Sequence, residues 1–245
     1  MRVIKSISEA SEYCSQLKNK GKTIASLNTG GDLHEGHMHL VGIARDNADI
    51  VIVMIDFPYE YFNKSRDEFS RFSKNYERNI LKKDIKKSLW HVEHIMSFIK
   101  DYNILKPDMT LLGQKDIHQT MSMIGIINAL NFSVKPLIAP IIRDSDGIPL
   151  SSSNKNLTRG QRKRASYICE RLQNIYEWES YTSVKEIKKY LNDVVKNARS
   201  RLYSLNVYDF KTGETVDMID REVVIVIAVR FDGIYIEDNI RVLPK

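Results

Sequence analysis

Leu33-His34-Glu35-Gly36-His37 sets two imidazoles three residues apart, just after the apolar run Thr23-Ile24-Ala25-Ser26-Leu27 and a turn containing Asn28, Gly30 and Gly31. On a helix that begins near Asp32 to His34, positions i and i+3 project from one face of the first turn. Free backbone N–H groups and the helix dipole favour an anion there, so the chemistry this spacing suits is the holding of a polyphosphate. Gly36 costs about 1 kcal/mol of helix propensity relative to Ala, and it leaves room for a ligand or a neighbouring backbone to come close. The plainer alternative is a pair of surface histidines in a polar turn. Their place directly after the first apolar strand argues for the ligand.

Two further segments carry groups of the same kind. Gly113-Gln114-Lys115-Asp116 follows a short apolar strand. Gly113 lets a ribose lie against the backbone, Asp116 can accept hydrogen bonds from ribose hydroxyls, and Lys115 can pair with phosphates. The alternative here is a surface turn in which Asp116 caps a helix. Ser151 and Ser152 lie where the composition changes, and their hydroxyls and amides could bind a phosphate from a mobile loop or could simply belong to a Ser-rich linker. His39, His91, His94 and His118 show no metal-ligand constellation.

The elements that must position these groups alternate. An amphipathic helix over 7–18 ends at Gly21, strands are expected over 23–27 and 49–55, and a helix over 40–47 lies between them. Asp49-Ile50-Val51-Ile52-Val53-Met54-Ile55 reads as a strand buried on both faces, which belongs in a parallel sheet. A long helix-prone region runs from Phe69 to about Tyr102. A strand over 109–112, a helix over 117–130 and a strand over 133–142 complete an α/β pattern, a Rossmann-like doubly wound parallel sheet whose ligands lie at the carboxyl ends of its strands. After Pro149 the pattern changes to helices over 158–176 and 184–203, followed by strands over 205–210, 223–231 and 234–237. The division expected is a nucleotide-binding domain over 1–145 and a smaller C-terminal α+β lid domain over 146–245.

Composition narrows the function. The chain has 245 residues, 42% hydrophobic and 28% charged. No apolar run approaches the roughly 20 residues that span a bilayer. The beginning of the chain lacks a signal-peptide core, so a soluble, cytoplasmic protein without a membrane partner is expected. Cys14 and Cys169 are far apart in sequence and read as isolated thiols. The formal charge of +6 arises from 37 Lys and Arg against 31 Asp and Glu. The clusters at Lys82-Lys83, Lys86-Lys87 and Arg162-Lys163-Arg164 sit in helix-like segments among acidic residues, so no nucleic-acid footprint is expected.

Taken together, the chain resembles the pantoate–β-alanine ligase (pantothenate synthetase) family of the HxGH nucleotidyltransferase-like superfamily, in divergent and shortened form. The resembling segments are Thr29 to His37, Ile104 to Asp108 leading to Gly113-Gln114-Lys115-Asp116 with Gln119, Asp146 to Asn154, and Ala228-Val229-Arg230-Phe231 to Ile236-Glu237-Asp238-Asn239. The resemblance implies a two-step ligation: ATP and a carboxylate give an acyl-adenylate and pyrophosphate with Mg²⁺ assistance, and an amine such as β-alanine then attacks the acyl carbon. It implies that His34 and His37 bind the triphosphate and that Lys115 assists phosphate and leaving-group charge. Thr29, Gly31, Gly113 and Asp116 would bind the nucleotide, and Ser151 and Ser152 would clamp phosphate. Glu60 and Gln119 would lie on the substrate side. A homodimer is implied as well.

The departures are as specific as the matches. Asn28 and Gly30 stand where the family has Pro and Met, and Ile55-Asp56-Phe57-Pro58-Tyr59-Glu60-Tyr61 replaces Phe-Val-Asn-Pro-x-Gln-Phe. A carboxylate at Glu60 repels an anionic acid unless it is paired or protonated. Ser153 replaces an Arg, and the chain is shortened between about Ile80 and Trp90. The nucleotide half therefore matches better than the acid half. A nucleotidyltransferase acting on a phosphorylated alcohol, and a nucleotide-binding relative without ligase activity, stay open at this point.

Overall fold

The computed structural model describes residues 2–29, 35–55, 85–177 and 183–244, and for 85–94, 152, 153 and 177 the backbone only. The expectations for Gly31, His34 and Glu60, and the first part of the shortened stretch, lie outside the described residues. The chain divides into two compact units, one formed by 1–112 with 126–139 and the other by 113–125 with 140–245.

The first unit is built on a four-stranded sheet. Its elements are α1 (Ile7–Asn19), β1 (Ile24–Thr29), α2 (Glu35–Asn47), β2 (Ile50–Ile55), α3 (Ile85–Leu105), β3 (Met109–Gly113) and β4 (Lys135–Ala139), with strand order β2-β1-β3-β4. The helix α4 (Ile117–Ala129) joins β3 to β4 along the chain. β1 pairs in parallel with β2 from Ile24 opposite Ile50 to Thr29 opposite Ile55, and with β3 through Ala25 and Ser26. Strand alternation sends Ala25 and Leu27 toward α2, where they pack with Ala44, Leu111, Val51 and Val53. It sends Ile24 the other way, into a cluster of Cys14, Leu105, Ile50, Ile52 and Met54 beneath α1 and α3. Helices thus cover both faces, and the continuous apolar run of β2 is explained. The expected fold class is the one observed. β4 is shorter than the expected 133–142, covering only 135–139.

Helix ends follow local chemistry. Ser6 caps α1 by accepting from the Glu9 amide, and Gly21, at φ +70°, turns the chain out of the helix with its amide on the Lys18 carbonyl. Two carboxylates then secure the start of β1. Asp49 accepts from the Thr23 amide and hydroxyl, each at 2.9 Å, and from Lys22 at 3.0 Å. The Thr23 amide, aided by Lys22 and the hydroxyl, holds its carboxyl down to about 2. Asp108 accepts from the amide of fully buried Ile24 at 2.8 Å and from Lys18 at 3.0 Å. Burial works against its charged form, but these donors outweigh it and leave the carboxyl below its ordinary value.

The second unit holds a three-stranded antiparallel sheet, β5 (Arg201–Asp209), β6 (Val223–Phe231) and β7 (Ile234–Val242), in that order. The helices α5 (Arg159–Gln173) and α6 (Val184–Asn197) pack on it through Ile168, Leu172, Ile187, Leu191, Ile225 and Ile227. Both begin with a capping box, Thr158 with Gln161 and Ser183 with Glu186. The opposite face of β6 presents Val224 and Val226 to Ile117 at the start of α4. Two sequence expectations are corrected. The helix from Val184 ends at Asn197 rather than 203, because Arg199 takes φ +48° and 201–209 pairs with β6, which is apolar on both faces and needs a neighbour on each side. The last strand runs to Val242 rather than 237, because Asp238 and Asn239, unusual strand residues, are buried in hydrogen bonds of their own.

Asp108→Ala is expected to cost about 1–3 kcal/mol, since it leaves the buried Ile24 amide without an acceptor, whereas Asp108→Asn keeps an acceptor and costs less. Urea midpoints measure both. The folded carboxyl is depressed, so its contribution is full above the unfolded value of about 4 and fades as pH falls through the lower folded value. The stability gap between wild type and Asp108→Asn should therefore narrow below about pH 4. A gap constant down to pH 2 would contradict this assignment.

Candidate active site

β7 organises the second unit's functional groups. Inward-facing Asp238, 2% exposed, accepts from both terminal nitrogens of Arg143 at 2.8 Å, and Arg143 also donates to the Gly147 carbonyl at 2.9 Å. Gly147 sits at φ +81°, a conformation that favours glycine, in the turn between Asp144 and Ile148. Arg162 grips that turn from α5, donating to Asp146 at 2.5 and 2.7 Å and to Asp144. Its guanidinium holds the Asp146 carboxyl down to about 2. Buried Asn154 donates to the Pro149 carbonyl at 2.6 Å and so folds the short helical turn Ser152–Asn156 back onto the same loop.

Asn239, 1% exposed, does the equivalent for the other segment. Its Nδ2 donates to the carbonyls of Gln114 at 3.0 Å and Lys115 at 3.2 Å, while Gln114 donates to its Oδ1 at 3.2 Å. Thr120, one turn into α4, donates to the Gly113 carbonyl at 2.8 Å. A cleft of about 200 Å³ results, with Lys115 and Asp116 on one side, Pro149, Ser151 and Asn154 on another, and Tyr235, Ile236 and Glu237 of β7 on the third. The Lys115 ammonium lies 3.7 Å from the Asp116 carboxylate, and both side chains are partly solvated. A Cβ built on Gly113 meets nothing within 4 Å. The arrangement offers a cation, hydrogen-bond acceptors and open backbone to one small polar ligand.

Of the residues expected from sequence, Lys115, Asp116 and Ser151 meet in this cleft. Gly113 opens the turn that carries two of them. Gln119 is partly exposed on the first turn of α4 and is not among the residues lining the cleft. Ser152 begins the short helical turn beside Ser151. Tyr235 and Glu237 line the cleft without having been singled out as site residues. Their signal was the alternation of β7, which turns 235 and 237 away from the side on which Ile236 is buried.

In the first unit, β1 ends at Thr29, which is 7% exposed, and its Oγ1 lies 3.1 Å from Nε2 of His37 in the first turn of α2. His37 is half-buried. Behind this end of β1, Asn28 donates to the buried carboxylate of Asp101 on α3. Among the described residues no group of three His, Cys, Asp or Glu side chains forms a metal centre, and no helix is long and apolar enough to cross a membrane.

Comparison with known proteins agrees with this layout. A solved pantothenate synthetase from Thermus thermophilus superposes with a TM-score of 0.73 over 100% of both chains at 19% identity. A pantoate–β-alanine ligase from Francisella tularensis, solved in complex with β-γ ATP and β-alanine, gives 0.61 at 21% identity over 98% and 97% of the two chains. Pantothenate synthetases of Thermotoga neapolitana and Acetivibrio thermocellus are each 28% identical, covering 93% and 98% of this chain and 95% and 99% of their own lengths. The Pantoate-beta-alanine ligase family model matches residues 2–92 and 86–241, two pieces that overlap at 86–92. With nearly every residue accounted for by that match, the chain belongs to the pantoate–β-alanine ligase family of ATP-dependent, AMP-forming ligases.

Proposed function

We propose that this protein joins pantoate to β-alanine at the expense of ATP. The pantoate carboxylate attacks the α-phosphorus and displaces pyrophosphate; the amine then attacks the acyl carbon and displaces AMP. The observation that carries this reading is the convergence of Lys115, Asp116 and Ser151 on one cleft. Adenylyl transfer asks for positioning and charge stabilisation rather than a protein nucleophile, and these are the groups the cleft supplies.

In this reading Asp116 accepts hydrogen bonds from the ribose hydroxyls, and Gly113 lets the sugar rest on the backbone. The Lys115 ammonium offsets charge that develops at the α-phosphate as pyrophosphate leaves. Ser151 and Ser152 hold phosphate oxygens. His37 and His34 act on the triphosphate, with Thr29 orienting the His37 ring, and Gly31 allows close approach in the same loop. Glu60 and Gln119 serve the acid side. Mg²⁺ carried on the triphosphate, where phosphate oxygens and water supply most of its ligands, would neutralise charge between the phosphates. A cytoplasmic homodimer is proposed as the working form.

Pyrophosphate release tests the whole reading. It should require ATP and pantoate together, with amide formation following on addition of β-alanine. Release stimulated instead by a phosphorylated alcohol, or by nothing, would overturn the proposal. Lys115→Met should lower the rate of adenylate formation about 10²- to 10³-fold, as expected when one preorganised donor is lost. Gly113→Ala is informative for the opposite reason: at φ −81° with open space around the new Cβ, it should leave the melting temperature unchanged. If the ribose packs there, the KM for ATP rises about tenfold or more through overpacking. An unchanged KM would remove Gly113 from the nucleotide site.

A further inference from the structure

The charges lining the cleft do not match its anionic substrates. Lys115 supplies one positive group, while Asp116 and Glu237 supply two negative ones. Both ATP and the acid are anions, and a carboxylate facing them raises the cost of binding. Asp116 has a use toward neutral ribose hydroxyls. Glu237 has none in adenylate formation, and the strand that carries it is held rigidly. Its neighbours Ile236 and Asp238 are buried, 4% and 2% exposed, and Asn239, two residues on and therefore on the same face, fastens the turn that carries Lys115. The position opposite it on β6 is the small Ala228, and the carboxylate acts on the nearby Tyr208 hydroxyl.

Resting on the ligase reading above, we propose that Glu237 is the group that receives the ammonium of the amine substrate and brings it to the acyl-adenylate. Of the three substrates only the amine carries an ammonium, and an ammonium donates three hydrogen bonds that a carboxylate on a fixed strand can accept. The ammonium gives one proton to solvent before the nitrogen attacks, the new C–N bond forms as the acyl–phosphate C–O bond breaks, the nitrogen gives its second proton to solvent, and AMP departs with the bonding electron pair. Glu237 selects a primary amine over a neutral nucleophile such as water or an alcohol, so the intermediate is spent on amide formation rather than hydrolysis.

The two half-reactions separate this role from the others a carboxylate could have. Glu237→Gln should raise the KM for β-alanine about 10- to 100-fold, the loss expected for a charge-assisted hydrogen bond. Pantoate-dependent exchange of pyrophosphate into ATP, measured without amine, should stay within about twofold. Glu237→Lys should raise the KM for β-alanine further, and retained exchange in either variant reports an intact fold. An unchanged KM for β-alanine would overturn the proposal, as would loss of exchange with a shifted Mg²⁺ dependence, which would place Glu237 on the metal side. Absence of exchange in the wild-type protein would instead overturn the ligase reading itself.

Discussion

The cleft depends on one feature, the pair of buried polar residues at the middle of β7. Asp238 holds Arg143 and through it the loop that leads to Pro149 and Ser151, and the adjacent Asn239 holds the carbonyls of the Gln114–Lys115 turn. Two segments far apart in sequence are thereby fastened to a single strand in a fixed register with β6. Breaking a buried ion pair by removing one partner typically costs about 3–5 kcal/mol, so the Asp238 attachment resists slippage of the loop it carries, and the neutral hydrogen bonds of buried Asn239 add about 1 kcal/mol each. Buried Cys169 belongs to the same assembly: burial pushes its thiol well above the ordinary value, and the Asp238 carboxylate adds to the effect. It is a packing residue and not a nucleophile.

The first unit meets a different constraint. A parallel sheet buried on both faces leaves little freedom for the strand at its centre, and β1 is held at its beginning by Asp49 and Asp108. Its end is thus delivered to a defined height, with Thr29 beside His37 and Asn28 tied to Asp101. Asn28 departs from the family's Pro at this place, and the bond to a buried carboxylate is a physical use for the change. A proline could not donate that bond.

Much of this was legible beforehand because it is local. The β2 run of Ile50 to Ile55 could only be a strand covered on both sides, Gly21 could only end a helix, and Thr158 with Gln161 is a capping signature. The family resemblance rested on short segments whose order along the chain survives divergence. Glu237 was hidden because alternation tells which side of the strand a carboxylate takes but not which cavity lies on that side. The length of β7 was hidden because Asp and Asn ordinarily discourage a strand, and only the distant partners Arg143 and Gln114 make their burial favourable.

The amino-acid sequence alone determined the alternation of strands and helices, the placement of His37, Lys115, Asp116 and Ser151 at element ends, and the family, since periodicity, caps and short motifs act within a few residues. Tertiary structure decided that residues 201–209 extend as a strand instead of continuing a helix, that Lys115, Ser151 and Glu237 share one cleft, and that Gln119 stays outside its lining. Those outcomes turn on hydrogen bonds and cross-strand packing between residues separated by up to 125 positions, as for Gln114 and Asn239. No local preference encodes such pairings, because their energy appears only when both partners are buried together.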